Sequence, residues 1–261
     1  MTGKTERPHA MFDGLAEVYD RQRPRYPQAL YESLGLRLQG RDELLLVDVG
    51  AGTGISARGL ARQFGAGARV LAIEPGADMR ARAVAACADY PNIDLRAATA
   101  EATGLADGSA DLVLAAQAAH WFDRPKYYAE VARILRPGGL IAFAHNNRDW
   151  RNSGFMSAQE ALLEKHIDGY DRRYRAFDFV GELKALDWTS DVKNQQYHWQ
   201  REMTFDDYVG LVCSSSKAPK LLASLGEDGL RAALRASADS HGFTDSVTLD
   251  MVSHLDAARK R

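Results

Sequence analysis

The chain has 261 residues with 33 basic and 35 acidic side chains, a formal charge of -2, so no strong net field draws it to phosphate backbones or anionic membranes. Hydrophobic residues make up 46% and charged residues 26%, which excludes wholesale disorder and leaves room for one large α/β domain with an insertion or for two small domains. Cys87 and Cys213 form no C-x-x-C pair, so no zinc site or disulfide framework is expected; Met1 to Ala10 lacks an apolar leader and no stretch has membrane-spanning length, so a cytoplasmic protein is expected.

In chain order, the prolines before Gln28 give a rigid entry into a helix from Gln28 to Leu38. Four short apolar runs follow, Leu44 to Val49, Val70 to Ile73, Leu112 to Ala116 and Leu140 to Ala144, and they read as buried parallel strands. Helix-like stretches separate them: Ile55 to Phe64, Met79 to Ala88 and Pro125 to Leu135, the last with Asp123 as N-cap and Gly138-Gly139 as its stop. This alternation predicts a Rossmann-like, doubly wound αβα sandwich whose ligand sits beyond the carboxyl ends of the central strands. From Arg148 to Trp188 a charged, aromatic stretch reads as helices inserted over that site as a cap. Gln195 to Met203 and Ser246 to Val252 read as late antiparallel strands, with helices from Phe205 to Leu225 and from Glu227 to Ser240 between them.

The segment Asp48-Val-Gly50-Ala51-Gly52-Thr-Gly54 follows the first strand and opens a helix. Gly50 and Gly52 allow a tight turn and close approach to a ligand, and the helix start offers N–H groups to a carboxylate or phosphate. Twenty residues on, Glu74 ends the second strand, placed to accept hydrogen bonds from both hydroxyls of a ribose. Together they call for a nucleoside cofactor. Gly52-Thr-Gly54-Ile-Ser-Ala57 also satisfies the G-x-G-x-x-A dinucleotide form, so a nicotinamide oxidoreductase stands as an alternative.

The same loop resembles the first motif of the class I S-adenosylmethionine-dependent methyltransferases, acidic-x-G-x-G-x-G. Thr99-Ala100-Glu101 with Leu105 to Asp111 is similar to that family's "DAE…LPFPDGSFD" segment, and Glu130 to Gly139 to its "E-x-x-R-V-L-K-P-G-G" helix and turn. The resemblance covers roughly residues 10–146. It implies S-adenosylmethionine as cofactor, with Asp48 helping to hold the methionine ammonium, Met79 beside the cofactor, and the Ala100 and Glu101 backbone reading adenine where Thr99 replaces the usual Asp. Gln117-Ala-Ala-His120-Trp121-Phe122 resembles the "Q-A-x-H-W-F" segment of a small-molecule branch, and it borders the sulfonium and the acceptor in this architecture. His120 is thereby a candidate base or a packed pocket histidine, and Trp121 a wall of the adenine or acceptor. Phe12 to Pro27 resembles the leader of the same branch, which implies a lid with Tyr19 and Arg23 as cofactor contacts and Tyr26 toward the acceptor; its three arginines read alternatively as a solvated face.

On this reading the chain is one methyltransferase unit: residues 10–40 lid and helix, 41–146 cofactor core, 147–190 helical insertion, 191–261 the remaining elements. Arginines 148, 151, 172, 173 and 175 could grip an acidic acceptor, but the interspersed Asp and Glu also describe a solvated surface, while Trp150 and its aromatic neighbours read as a pocket roof. No Asn-Pro-Pro-Tyr-type tetrapeptide follows the Leu112 to Ala116 strand and no basic aromatic stripe is present, so a nucleic-acid methyltransferase is the weaker reading. The expected partner is a small-molecule acceptor, with no nucleic acid, membrane or metal.

Overall fold

The computed structural model describes residues 24–173 and 177–261. Helix α1 (Gln28–Arg37) turns Leu30, Tyr31 and Leu34 inward, and the apolar run β1 (Leu44–Val49) follows it into the core. Then come α2 (Ile55–Phe64), β2 (Ala68–Ile73), α3 (Ala77–Ala86), β3 (Ile93–Arg96) and β4 (Ala110–Ala116). Helix α4 (Arg124–Ile134) starts where the Asp123 side chain accepts from the Lys126 amide, as expected of an N-cap. Strand β5 (Leu135–Arg148), α5 (Gly154–His166), α6 (Phe179–Ala185), β6 (Thr189–Thr204), α7 (Phe205–Cys213), α8 (Ala218–Ser240) and β7 (Ser246–Lys260) complete the chain.

The strands form one seven-stranded sheet in the order β3-β2-β1-β4-β5-β7-β6, in which the first five pair parallel and β7 pairs antiparallel with both β5 and β6. Chain order reverses between β1 and β4, where a doubly wound sheet opens its ligand crevice. One face of the sheet packs on α1 and α2 through Leu30, Leu34, Leu46, Leu60 and Leu112, and the other on α4 and α6 through Val113, Val131, Ile141, Phe143 and Phe179. A third apolar cluster, with Phe155, Met156, Tyr208, Leu221 and Leu234, joins α5, α7 and α8 to the far ends of β6 and β7. It forms the cap.

Several boundaries differ from the sequence expectation, each for a physical reason. Helix α4 ends at Ile134, and Gly138-Gly139 lie inside β5 rather than stopping the helix. There the register slips between Ala110 and Leu112, a bulge that takes up the pair. Strand β3 was not expected at all, being four residues long and half-buried at the sheet edge. The late strands run 16 and 15 residues, because residues 189–194, ahead of the expected start of β6, pair with the stretch of β7 beyond Val252, which also pairs with β5. The expected helix from Phe205 to Leu225 is broken between Cys213 and Ala218, and Gly226 kinks α8.

Two motif segments act as fasteners. Asp111, fully buried, accepts from the Leu45 amide at 2.9 Å and pairs with Arg41 at 3.0 Å, clamping β4 to the start of β1. Glu130 accepts from the Thr103 amide at 2.8 Å and pairs with Arg133, which reaches Asp107 in turn. The second fastener holds the loop between β3 and β4 against α4.

Candidate cofactor and acceptor site

The crevice is built from the β1–α2 loop. Gly50 and Ala51 donate their amides to the Ile73 carbonyl at 2.8 and 3.0 Å, tying the loop to the end of β2, and Gly50, Gly52 and Gly54 all hold positive φ. Asp48 lies beneath the loop with no exposed surface, outside the cavity wall. Ser56 Oγ donates to its Oδ2 at 2.6 Å, while Oδ1 has no hydrogen-bond partner among the described residues. Burial raises its carboxyl to about 7 against the opposing bonds from Ser56 and the Ala57 amide, with Glu74 adding to the rise.

Glu74, just past β2, crosses back over the loop. Its Oε2 accepts from the Gly52 amide at 2.9 Å and its Oε1 from the Gly76 amide at 2.8 Å. Each oxygen keeps lone-pair capacity toward the cavity that Glu74 lines. Met79, Thr99, Ala100 and Glu101 line the same stretch, and Glu101 accepts from the Asp123 amide at 2.9 Å. Across the switch point, Gln117 adopts a left-handed backbone and its Nε2 donates to the Asn146 carbonyl at 2.7 Å. A non-glycine residue held there marks a loop over-determined by its surroundings.

The cavity, about 780 Å³, runs from this loop under the cap and past Tyr26, His120, Trp121 and Trp150. Tyr26 donates to the Ala144 carbonyl at 3.4 Å. His120 is exposed and stacks on Phe177 at 5.9 Å, with Trp121 4.9 Å away. The guanidinium groups of Arg151 and Arg172 stand 4.7 and 5.3 Å from the ring centre of Trp150. Arg148 pairs with Glu160 and Arg172 with Glu164, so two of the arginines considered for an acidic acceptor are neutralised by neighbours. Tyr19, Arg23, Tyr174 and Arg175 lie outside the described residues.

The antiparallel extension supplies groups that no motif announced. Trp199 Nε1 donates to Ser253 Oγ at 2.8 Å, and Ser253 donates to Asn146, so a relay from β6 through β7 and β5 reaches Gln117. On the opposite face, His145 and His254 are register partners with parallel rings 4.7 Å apart, and His198 approaches Asp149 at 2.7 Å. The one visible signal was the polar alternation of Gln196, His198 and Gln200 along β6.

The switch-point crevice, glycine loop and strand-end carboxylate define a doubly wound protein built for a nucleoside cofactor. Residues 47–143 match the methyltransferase domain family. The chain is 34% identical over 214 residues to a methyltransferase-family protein of Dictyostelium discoideum, covering 78% of this chain and 76% of that protein. It is 38% identical over 205 residues, with the same coverage, to an uncharacterized methyltransferase of Mycobacterium tuberculosis. A methyltransferase structure from Anaeromyxobacter dehalogenans superposes with a TM-score of 0.66 at 26% identity, covering 92% of this chain and 97% of that one. The chain belongs to the class I S-adenosylmethionine-dependent methyltransferases, and its cofactor is S-adenosylmethionine. That sets aside the nicotinamide reading of the second glycine register.

The residues fit this cofactor. Asp48 Oδ1, buried beneath the loop and without a hydrogen-bond partner among the described residues, would suit an ammonium group, Glu74 would offer acceptors to ribose hydroxyls, and the space beside Gly52 where a Cβ would stand is open. When bound, the cofactor supplies an electrophilic methyl group on a sulfonium. Replacing Glu74 by Ala should weaken binding of S-adenosylhomocysteine by about 1–3 kcal/mol, the worth of hydrogen bonds to a charged acceptor. Titration calorimetry reads this directly, and an unchanged dissociation constant would remove Glu74 from the cofactor site.

Proposed function

We infer that this enzyme methylates a small molecule in the cytoplasm, with neither nucleic acid nor membrane as its partner. The observation that carries the reading is the capped cavity of about 780 Å³, continuous from the glycine loop to the polar wall of β5, β7 and β6. Pockets of roughly 300–1,000 Å³ enclose whole small ligands, whereas a nucleic-acid strand needs an open basic groove with stacking platforms. No helix among the described residues is long and apolar enough to cross a membrane. Within the cavity, Tyr26, His120, Trp121 and Trp150 would shield the acceptor from water, which an in-line displacement from a sulfonium requires.

Isotope-labelled S-adenosylmethionine offered with a panel of small acids, phenols and amines, beside nucleic acid and protein, tests the reading. Label transferred to macromolecules alone would overturn it. His120 borders the Gln117 loop, so for a hydroxyl or amine acceptor His120→Asn should slow single turnover by about 10²–10⁴-fold, the usual worth of general acid–base catalysis, with S-adenosylhomocysteine affinity unchanged. For a carboxylate acceptor, which carries no proton to remove, the same change should raise KM instead. A variant that binds and turns over normally would leave His120 a packing residue.

A further inference from the structure

Four of the six histidines among the described residues, His120, His145, His198 and His254, line one cavity. Of these, His198 is held by a charged partner. Its Nδ1 lies 2.7 Å from Asp149 Oδ2, and Asp149 is itself buried and fixed by Asn152, whose Nδ2 reaches both carboxylate oxygens at 2.9 and 3.1 Å. The Asp149 amide bonds to the Asp250 carbonyl at 2.9 Å, anchoring the loop to β7. An ionised carboxylate can only accept, so the proton of a neutral His198 must sit on Nδ1. Nε2 is then a lone-pair acceptor, and it makes no hydrogen bond with a described residue.

Register places this group. His198 pairs with Val252 and Val252 with Asn147, so it stands three strands from β4, where the Gln117 loop begins. Three spacings of about 4.8 Å put it roughly 14 Å away across the sheet, too far for it to take a proton from the methylated atom. Charges of both signs stand near it. His254 is kept below the ordinary histidine range by burial and by the nearby Arg151, while Asp149 and Asp250 stand on the same side.

We propose that His198, positioned by Asp149, is a recognition subsite for the end of the methyl acceptor remote from the reacting atom, and that it selects a hydrogen-bond donor, an O–H or N–H group, over a carboxylate or an ether. This rests on the small-molecule reading, and the test separates the two because it needs no turnover. Phenol, anisole and benzoate are titrated into the enzyme saturated with S-adenosylhomocysteine, with histidine ring nitrogens followed by NMR. Phenol should bind at least tenfold more tightly than either of the others and shift the His198 ring nitrogens. His198→Phe should abolish that preference with cofactor affinity intact, and Asp149→Asn, which keeps the volume but frees the tautomer, should reduce it. Benzoate binding as well as phenol, a His198 signal unmoved by phenol, or a preference that survives both substitutions would overturn the assignment. If the small-molecule reading fails instead, methyl transfer to small acceptors is absent while the fragment preference persists.

Discussion

Gly50→Ala should destabilise the protein by about 2–5 kcal/mol and lower S-adenosylhomocysteine affinity more than a hundredfold. Two costs combine at this position. Its φ of +69° lies in the left-handed region, which costs a residue with a Cβ about 1–2 kcal/mol, and the added methyl would stand 2.6 Å from Ala118 Cβ and 3.3 Å from Phe122 Cζ. Both neighbours belong to the loop after β4, so relief of the overlap, worth about 1–3 kcal/mol, must push apart the two sides of the crevice. Gly52→Ala provides the contrast: φ is +55°, but nothing lies within 4 Å of its would-be Cβ. It should carry the backbone cost alone, while its methyl occupies cavity space and still weakens binding. Thermal denaturation with calorimetric titration distinguishes the two, since Gly50→Ala should lower Tm by roughly 5–15 °C and Gly52→Ala by a few degrees. A Gly50→Ala enzyme with wild-type Tm and affinity would show that this approach of the loops is not required.

Asp48 should make both stability and cofactor affinity depend on pH, in opposite directions. Burial raises its carboxyl from the usual 3.8 to about 7, so between these values the folded chain holds a proton that the unfolded chain has released. Stability therefore falls as pH rises from about 4 to about 7 and levels off above it. At about 1.4 kcal/mol for each pH unit, the loss is on the order of 4 kcal/mol. An ammonium beside Oδ1 needs the ionised carboxylate, so affinity should instead climb with pH up to about 7. Asp48→Asn should flatten both profiles and weaken binding above pH 7 by at least tenfold, because an amide cannot compensate a buried cation. Urea titrations and dissociation constants at pH 5, 6, 7 and 8 supply the measurements. Parallel profiles for wild type and variant would mean that Asp48 is a structural partner of Ser56 and nothing more.

The cofactor half of the molecule was legible because its constraints are local. A continuous apolar run can be buried only as an interior strand, and glycines with positive φ between Asp48 and Ile55 can be read from residue type. Glu74 follows from its distance along one βα unit. Asp123 was likewise visible as a cap, its partner lying three residues away. Where the expectation failed, pairing rather than local preference decided. Gly138-Gly139 look like a helix stop until β4 is beside them, and Ile93 to Arg96 becomes a strand because β2 offers its edge.

The sequence by itself determined the alternating α/β order, the doubly wound class and the nucleoside-binding loop, since each depends on residue type and spacing within one short unit. Only the tertiary structure decided what stands opposite that loop. His145, His198 and His254 come from strands more than fifty residues apart in pairs, and Asp149 meets His198 because the β7 backbone holds its loop. Such contacts depend on antiparallel register, in which a one-residue slip would turn every one of these side chains to the other face of the sheet.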